Sequence, residues 1–438
     1  MPLLIVIGGI LLLLLLVLAF RMSALFALVI VAVTVGFAQG MGGSEILAAI
    51  EKGVGDTLAQ LALIFAFGVM LGKLIADGGG AQRIAVSLLN TFGRKNMDWA
   101  MALTGFVVGI PLFYNVGFVI LVPLVFMISA NMRLPIMYVA MPLLTALSVT
   151  HGYLPPHPGA TAVAVIFNAD IGLTMLYGAV VSVPAIILGG PLFARTLGRI
   201  KPNPPDSFTE QRAFKDEELP SFGLSLFTSL LPVFLIAVAT VADLLVESDA
   251  WWWVTIRFVG NPVVALLVAV LVALYTMGIR QGFSMKQLME RTDDSLKSVT
   301  VILFVIAAAG AFKEILVGGG VGDYVAEMTR DLSFSPLLLV WIIAAAIRVA
   351  LGSATVAALT TAGIVLPMLD TTAVSPELMV LATGAGSLMF SHINDPGFWL
   401  FKEYFGLSIR DTIRSWSMME TIVSLVGLFG VLLLDMFV

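Results

Sequence analysis

Cysteine is absent from the 438 residues. Disulfides, thiolate metal sites and thiol chemistry are therefore excluded. Charge is scarce: Asp, Glu, Lys and Arg make up 12% of the chain, against about a quarter in a soluble globular domain. Histidine occurs only three times, and Asp395 is the one carboxylate read beside those histidines, which makes a metal site a poor fit. No glycine-rich phosphate loop of the Walker type is present, so an ATP-driven pump is not indicated. The net charge of −5 says little about partners, and no nucleic-acid partner is expected.

What is there is apolar surface. Hydrophobic residues make up 59% of the chain and the mean hydropathy is +1.04. Apolar runs of about 20 residues recur from end to end, the length a helix needs to cross a bilayer. The fold class follows: an all-α polytopic membrane protein with the lipid bilayer as a partner. The first run, Pro2 to Phe20, lacks a basic leader and a small-residue cleavage site, and reads as a retained span. Residues 44–57 read as an interfacial helix before a span over 58–76. Residues 284–297 read the same way before a span over 298–317.

Two apolar stretches are too broken for one span and too short for two. Residues 98–131 are cut at Gly109-Ile110-Pro111 and Tyr114-Asn115-Val116-Gly117, and residues 336–369 at Gly352-Ser353. Both read as re-entrant hairpins, which exist at membrane depth only when buried in protein or lining a cavity. Two further segments, 135–169 and about 376–410, are spans broken at His151–Gly159 and at Ser391–Gly397.

The order of these features repeats. Gly78–Gly80 and Lys73 recur at one common offset as Gly318–Gly320 and Lys313. His151 and Pro155 recur one residue further on as His392 and Pro396. The chain therefore divides into a first repeat at 1–197, a cytoplasmic linker at 198–221 and a second repeat at 222–438. Each repeat has about five crossings, one of them broken, plus a hairpin, and an odd number of crossings inverts the second copy. Lys and Arg test this. With the N-terminus outside, nearly all of them fall inside, among them Arg94, Lys95, Arg195, Lys201, Arg280 and Arg410. Only Lys52, Arg257 and Arg330 fall outside, and both termini are then periplasmic.

The residues able to carry chemistry sit at the four breaks. Arg348 lies just before the second hairpin tip, where an arginine at membrane depth costs about 2.5–3.5 kcal/mol on insertion scales. It is either a fixed cation for a carboxylate substrate or half of a structural ion pair with Asp395. Ser353 and Thr355 can bond substrate hydroxyls or cap the backbone. Tyr114, Asn115 and Asn394 suit a polyhydroxylated ligand, or tie down their own turns. His151, His157, His392 and Asp395 are the titratable groups, and either a histidine or a buried carboxylate can hold a coupling proton. Lys73 and Lys313 read as snorkelling span ends.

At these residues the sequence resembles the gluconate permease family of bacterial sugar-acid:proton symporters. The matching stretches are Gly109–Phe118, Ser148–Gly159, Arg348–Ala357 and Ser391–Trp399, and the likeness runs along essentially the whole chain. The resemblance implies an inner-membrane carrier, not an enzyme, that takes up gluconate or a related aldonate with a proton and has no other cofactor. It also implies an elevator-type homodimer akin to other ion-coupled carboxylate transporters. Substrate contacts are then expected from Tyr114, Asn115, His151, His157, Arg348, Ser353, Thr355, His392 and Asn394, and proton coupling from Asp395, His157 or His392. A carrier for another small carboxylate such as D-serine, and an anion channel, remain as alternatives.

Overall fold

The computed structural model describes residues 5–438 apart from 6, 7, 10, 14, 205–215, 246–249, 320–334, 370, 371, 373 and 394. Asn394, Gly320, Arg330, half of the 198–221 linker and part of the first apolar run thus lie outside the described residues. Every regular element among the described residues is helical. In chain order they are α1 Ala24–Ala38, α2 Gly43–Asp77, α3 Gly80–Phe92, α4 Met97–Gly109, α5 Tyr114–Met132, α6 Ile136–Tyr153, α7 Pro158–Ile166 and α8 Ile171–Ile187. There follow α9 Phe222–Leu245, α10 Trp251–Gly260, α11 Pro262–Ala273, α12 Met285–Gly318, α13 Pro336–Leu351, α14 Ala354–Leu369, α15 Pro376–Ser387, α16 Pro396–Phe405 and α17 Met418–Leu434.

Seven helical segments among the described residues are long and apolar enough to cross a membrane. Large apolar side chains point outward from them and their neighbours: Phe26, Phe234, Phe258, Val301 and Phe429 are each more than 60% exposed. Only a hydrocarbon solvent accommodates such a surface. The protein is an all-α, multi-pass membrane protein.

Two helices set the frame. α2 has 35 residues and α12 has 34. At 1.5 Å per residue each is about 50 Å long, well beyond the ~30 Å hydrocarbon layer. Here the structure differs from the sequence reading, which divides each into an interfacial piece and a span. No breaker separates the pieces, and each helix starts on a cap. Glu45 accepts from the Gly42 N–H at 2.8 Å, and Gln287 from the Ser284 N–H at 2.9 Å. The polar first halves simply continue past the bilayer edge.

α2 and α12 run antiparallel and pack along each other. Ion pairs close both ends: Lys52 to Glu314 at 2.6 Å, and Arg291 to Asp77 at 2.7 Å. Lys73 and Lys313 join them, at 2.9 Å from Asp77 and 3.5 Å from Glu314. Between these pairs the backbones nearly touch. A Cβ at Gly53 would lie 2.3 Å from the Gly310 carbonyl oxygen, and one at Gly310 would lie 2.0 Å from Thr57 Oγ1.

Four of the interruptions between apolar helices fall at 110–113, 154–157, 352–353 and 388–395. Proline explains where the next helix starts. Pro158 and Pro396 occupy first-turn positions, where the missing N–H has no intrahelical role and the fixed φ suits helix entry. Gly352 ends α13 in the left-handed region, φ +75°, which a residue with a Cβ adopts only at a cost. The partners after each break are also comparable. α4 packs along α6, α13 packs along α15, and α7 meets α14.

The close crossing gives a direct test. Gly310→Val forces the α2 backbone away, an overpacking cost of about 1–3 kcal/mol. Purified Gly310→Val protein is expected to melt several degrees below wild type, whereas Gly55→Ala, with open space at its Cβ position, melts no lower. Equal melting of Gly310→Val and wild type would contradict the packing described.

Candidate functional site

The four breaks meet around one cavity of about 240 Å3. That is just below the range of about 300–1,000 Å3 typical of drug-sized ligands. Four helix N-termini border it: α5 through Tyr114 and Asn115, α7 through Pro158, α14 through Ala354 and Thr355, and α16 through Pro396 and Gly397. Each N-terminus brings the positive end of a helix dipole to the cavity, although at α16 the first-turn N–H groups are already taken by Asp395. Ser148 and His151 of α6, Arg348 of α13 and Glu420 of α17 complete the polar wall, with Ile302 of α12 on the apolar side.

Arg348 is 4% exposed. Its Nη2 donates to Asp395 Oδ2 across the gap between α13 and the 388–395 break. Its Nε and Nη1 are buried and have no hydrogen-bond partner among the described residues. A buried guanidinium with unused donors holds surplus capacity for a second anion, and its planar fork matches a carboxylate.

Asp395 is the hub of the break. Ser391 Oγ donates to the same Oδ2, and the Gly397 N–H donates to Oδ1 at 2.8 Å, so the side chain also caps α16. Ser391 in turn accepts from Trp416 Nε1 at 2.7 Å, and its carbonyl accepts from Ser417 Oγ. Trp416 lies in a π turn, Ile413–Ser417, that precedes α17. Its ring stacks on Phe401 with centroids 5.4 Å apart and sits 5.8 Å from Tyr114. One ion pair therefore ties together α13, the break, α16 and the entry to α17.

The expected residues divide into two groups. Tyr114, Asn115, His151, Arg348, Ser353, Thr355 and Asp395 all line the cavity. His157 does not: it is 1% exposed, and its Nε2–H donates to the Gly109 carbonyl at 2.8 Å. It closes the end of α4 and stands behind His151, with ring centroids 5.4 Å apart. His392 also points elsewhere, donating through Nε2 to the Val349 carbonyl at 2.9 Å. Asn394 falls outside the described residues. Ser353 takes a double position, lining the cavity while its Oγ accepts from the Val356 N–H at 3.4 Å.

Sequence reasoning missed Ser148 and Glu420. Glu420 is 2% exposed, and its Oε1 accepts from Ser148 Oγ at 2.6 Å. Its Oε2 has no partner among the described residues. The signal was available: an acid inside the last apolar run is a candidate functional residue on its own. It was passed over because α17 carries no break at that point.

The arrangement suits an anion, with one buried cation and four helix N-termini around the cavity. No group of three or more metal-ligating side chains is present among the described residues. The histidines are divided between the cavity wall and two backbone carbonyls.

Known proteins resemble the chain along its length. The sequence profile of the GntP family permeases matches residues 1–437. The chain is 52% identical over 436 residues to the "High-affinity gluconate transporter" of Escherichia coli (strain K12), spanning 100% of both proteins. It is 49% identical over 435 residues to the "Gnt-II system L-idonate transporter" of the same organism, spanning 99% of each. Among solved structures, the YdaH transporter of Alcanivorax borkumensis is similar at a TM-score of 0.63, covering 88% of this chain and 87% of that one. Sequence identity there is 18%, so that likeness speaks for the fold alone. With a profile match over almost every residue and relatives half identical from end to end, this chain belongs to the GntP family of permeases.

Proposed function

We propose that this protein is a secondary active transporter that takes gluconate or a related sugar acid across the bacterial inner membrane together with a proton. The observation that carries this reading is the meeting of four helix N-termini and the half-used Arg348 guanidinium at one small cavity. Both features select a carboxylate. A single fixed cation suits a monocarboxylate, and the two E. coli relatives are named as gluconate and L-idonate transporters.

The rest of the wall suits a polyol tail. Asn115, Ser353, Thr355, Tyr114 and His151 offer amide, hydroxyl and imidazole groups for hydroxyl partners. Tyr114 OH and His151 Nδ1 have no partner among the described residues. Asn394 is assigned the same role from its place beside Asp395 in the sequence. A site built to hydrogen-bond hydroxyls rejects ligands that lack them, because its own groups would be left unpaired.

The coupling proton belongs to a titratable group at or near the breaks: Asp395, His151, His157, His392 or the cavity carboxylate Glu420. A proton entering with a monoanion makes the load electroneutral, which lowers the cost of carrying it through the bilayer. Alternating access is assigned to an inverted repeat with units at 1–197 and 222–438, moving as an elevator within a homodimer whose termini face the periplasm. The recurring partnerships α4–α6 and α13–α15, and the antiparallel α2–α12 pair, support that division.

Proteoliposomes with an acid exterior test the reading. Wild type is expected to concentrate radiolabelled gluconate on the imposed pH gradient, and to stop when a protonophore collapses it. Arg348→Lys keeps the charge but loses the fork, and is expected to raise the half-saturating gluconate concentration about tenfold or more, worth about 1.4 kcal/mol. If neither gluconate nor any of a panel of aldonates responds to the gradient, the symport reading fails. If Arg348→Lys matches wild type, the carboxylate is held elsewhere.

A further inference from the structure

We propose that Glu420, working with Ser148, is the residue that carries the coupling proton; this rests on the symport reading above and assigns one part of it. The cavity contains two carboxylates and one fixed cation. Asp395 uses that cation, and three donors reach its oxygens: Arg348 Nη2 and Ser391 Oγ at Oδ2, and the Gly397 N–H at Oδ1. Both oxygens of Asp395 are thus engaged with donors.

Glu420 has the opposite surroundings. It is 2% exposed, receives one hydrogen bond, from Ser148 Oγ at 2.6 Å, and has no ion-pair partner among the described residues. Its Oε2 is buried and unpartnered. A carboxylate taken out of water without a counter-ion takes up a proton rather than bear the desolvation cost.

The groups facing it from every side agree with this. α17 packs against α6, α8, α13, α15 and the turns at Leu188–Leu192 and Ile413–Ser417. α13 supplies Arg348, and the break after α15 supplies Asp395; these are the charged groups that act on Glu420, with opposite signs. α6 supplies His151 and Tyr153, whose hydroxyl is already engaged with the Val423 carbonyl at 2.6 Å. Tyr114 of α5 approaches from the cavity side. Tyr177 of α8 is half-buried, Arg414 of the π turn is exposed, and Glu377 at the start of α15 is bonded to Ser375 Oγ and the Asp170 N–H. No lysine faces the site among the described residues.

Coupling then follows from charge. With Glu420 ionised, an arriving carboxylate meets two anions and one cation. With Glu420 protonated, it meets Arg348 balanced against Asp395 alone, at four positive helix ends. The proton is taken from the periplasmic water before or with gluconate, crosses on Glu420, and is released to the cytoplasmic water after gluconate leaves. His157 and His392 have their Nε2–H groups committed to backbone carbonyls, and His151 in the cavity wall is assigned to a substrate hydroxyl.

The experiment compares wild type, Glu420→Gln and Ser148→Ala in proteoliposomes, with net uptake on an acid-outside gradient and gluconate:gluconate exchange at equal pH from 5 to 9. Glu420→Gln mimics the protonated acid. It is expected to lose gradient-driven accumulation at least tenfold, while exchange continues and no longer varies with pH. Ser148→Ala removes a donor to the ionised form, so the pH at which exchange falls by half is expected to move up by about one unit. Accumulation by Glu420→Gln at wild-type level overturns the assignment, and so does loss of its exchange in a protein that remains monodisperse. If Glu420→Gln does not reconstitute, an unmoved Ser148→Ala profile overturns it alone. A wild type that ignores the gradient is a different result, since it removes the symport reading itself.

Discussion

A guanidinium buried among apolar helices has to keep its charge compensated, and Arg348 does so with part of its donor set. The contact to Asp395 leaves Nε and Nη1 without partners among the described residues. Complete compensation by protein would make a static ion pair, with nothing left to offer a ligand. Partial compensation leaves a cation with unused donors in the wall of a cavity bordered by four positive helix ends. Removing either partner would leave a charge buried alone, a loss of about 3–5 kcal/mol. The pair is therefore the anchor of the break and, in the proposed function, the source of its ligand chemistry.

The remaining architecture serves to hold that arrangement at depth. Irregular backbone is tolerated inside a bilayer only where protein or water covers it. Here the breaks cover one another, with α7 against α14 and the 388–395 segment pinned by Trp416, Ser417 and Arg348. The α2–α12 pair is unbroken by contrast, joined by an ion pair near each end, with the close Gly53–Gly310 contact beside the Lys52–Glu314 pair. An unbroken pair beside a set of interrupted helices is the contrast that the proposed elevator motion would use.

Much of this was legible in the residues. Proline and glycine in apolar runs gave the four breaks, because Pro158, Pro396 and Gly352 act through local backbone geometry that neighbours do not override. Arg348 and Asp395 stood out because charge at membrane depth is costly. Direction was not legible. His157 and His392 lie at breaks, yet their side chains turn to the Gly109 and Val349 carbonyls, which are brought near only by the tertiary fold. Glu420 was overlooked because it sits in an unbroken helix, and its link to Ser148 joins residues far apart in sequence. The continuity of α2 and α12 was hidden for a related reason, since a polar half-helix looks the same whether it turns along the interface or runs on into water.

The central claim is that the carboxylate, held by Arg348 and the helix ends, dominates recognition. Equilibrium binding to purified wild-type protein decides it, comparing gluconate with sorbitol, an uncharged polyol of the same carbon number. The account predicts saturable binding of gluconate and at least a hundredfold weaker binding of sorbitol, a difference of about 2.7 kcal/mol. Comparable affinity for the two would contradict it, because the hydroxyl contacts would then carry recognition without the charge.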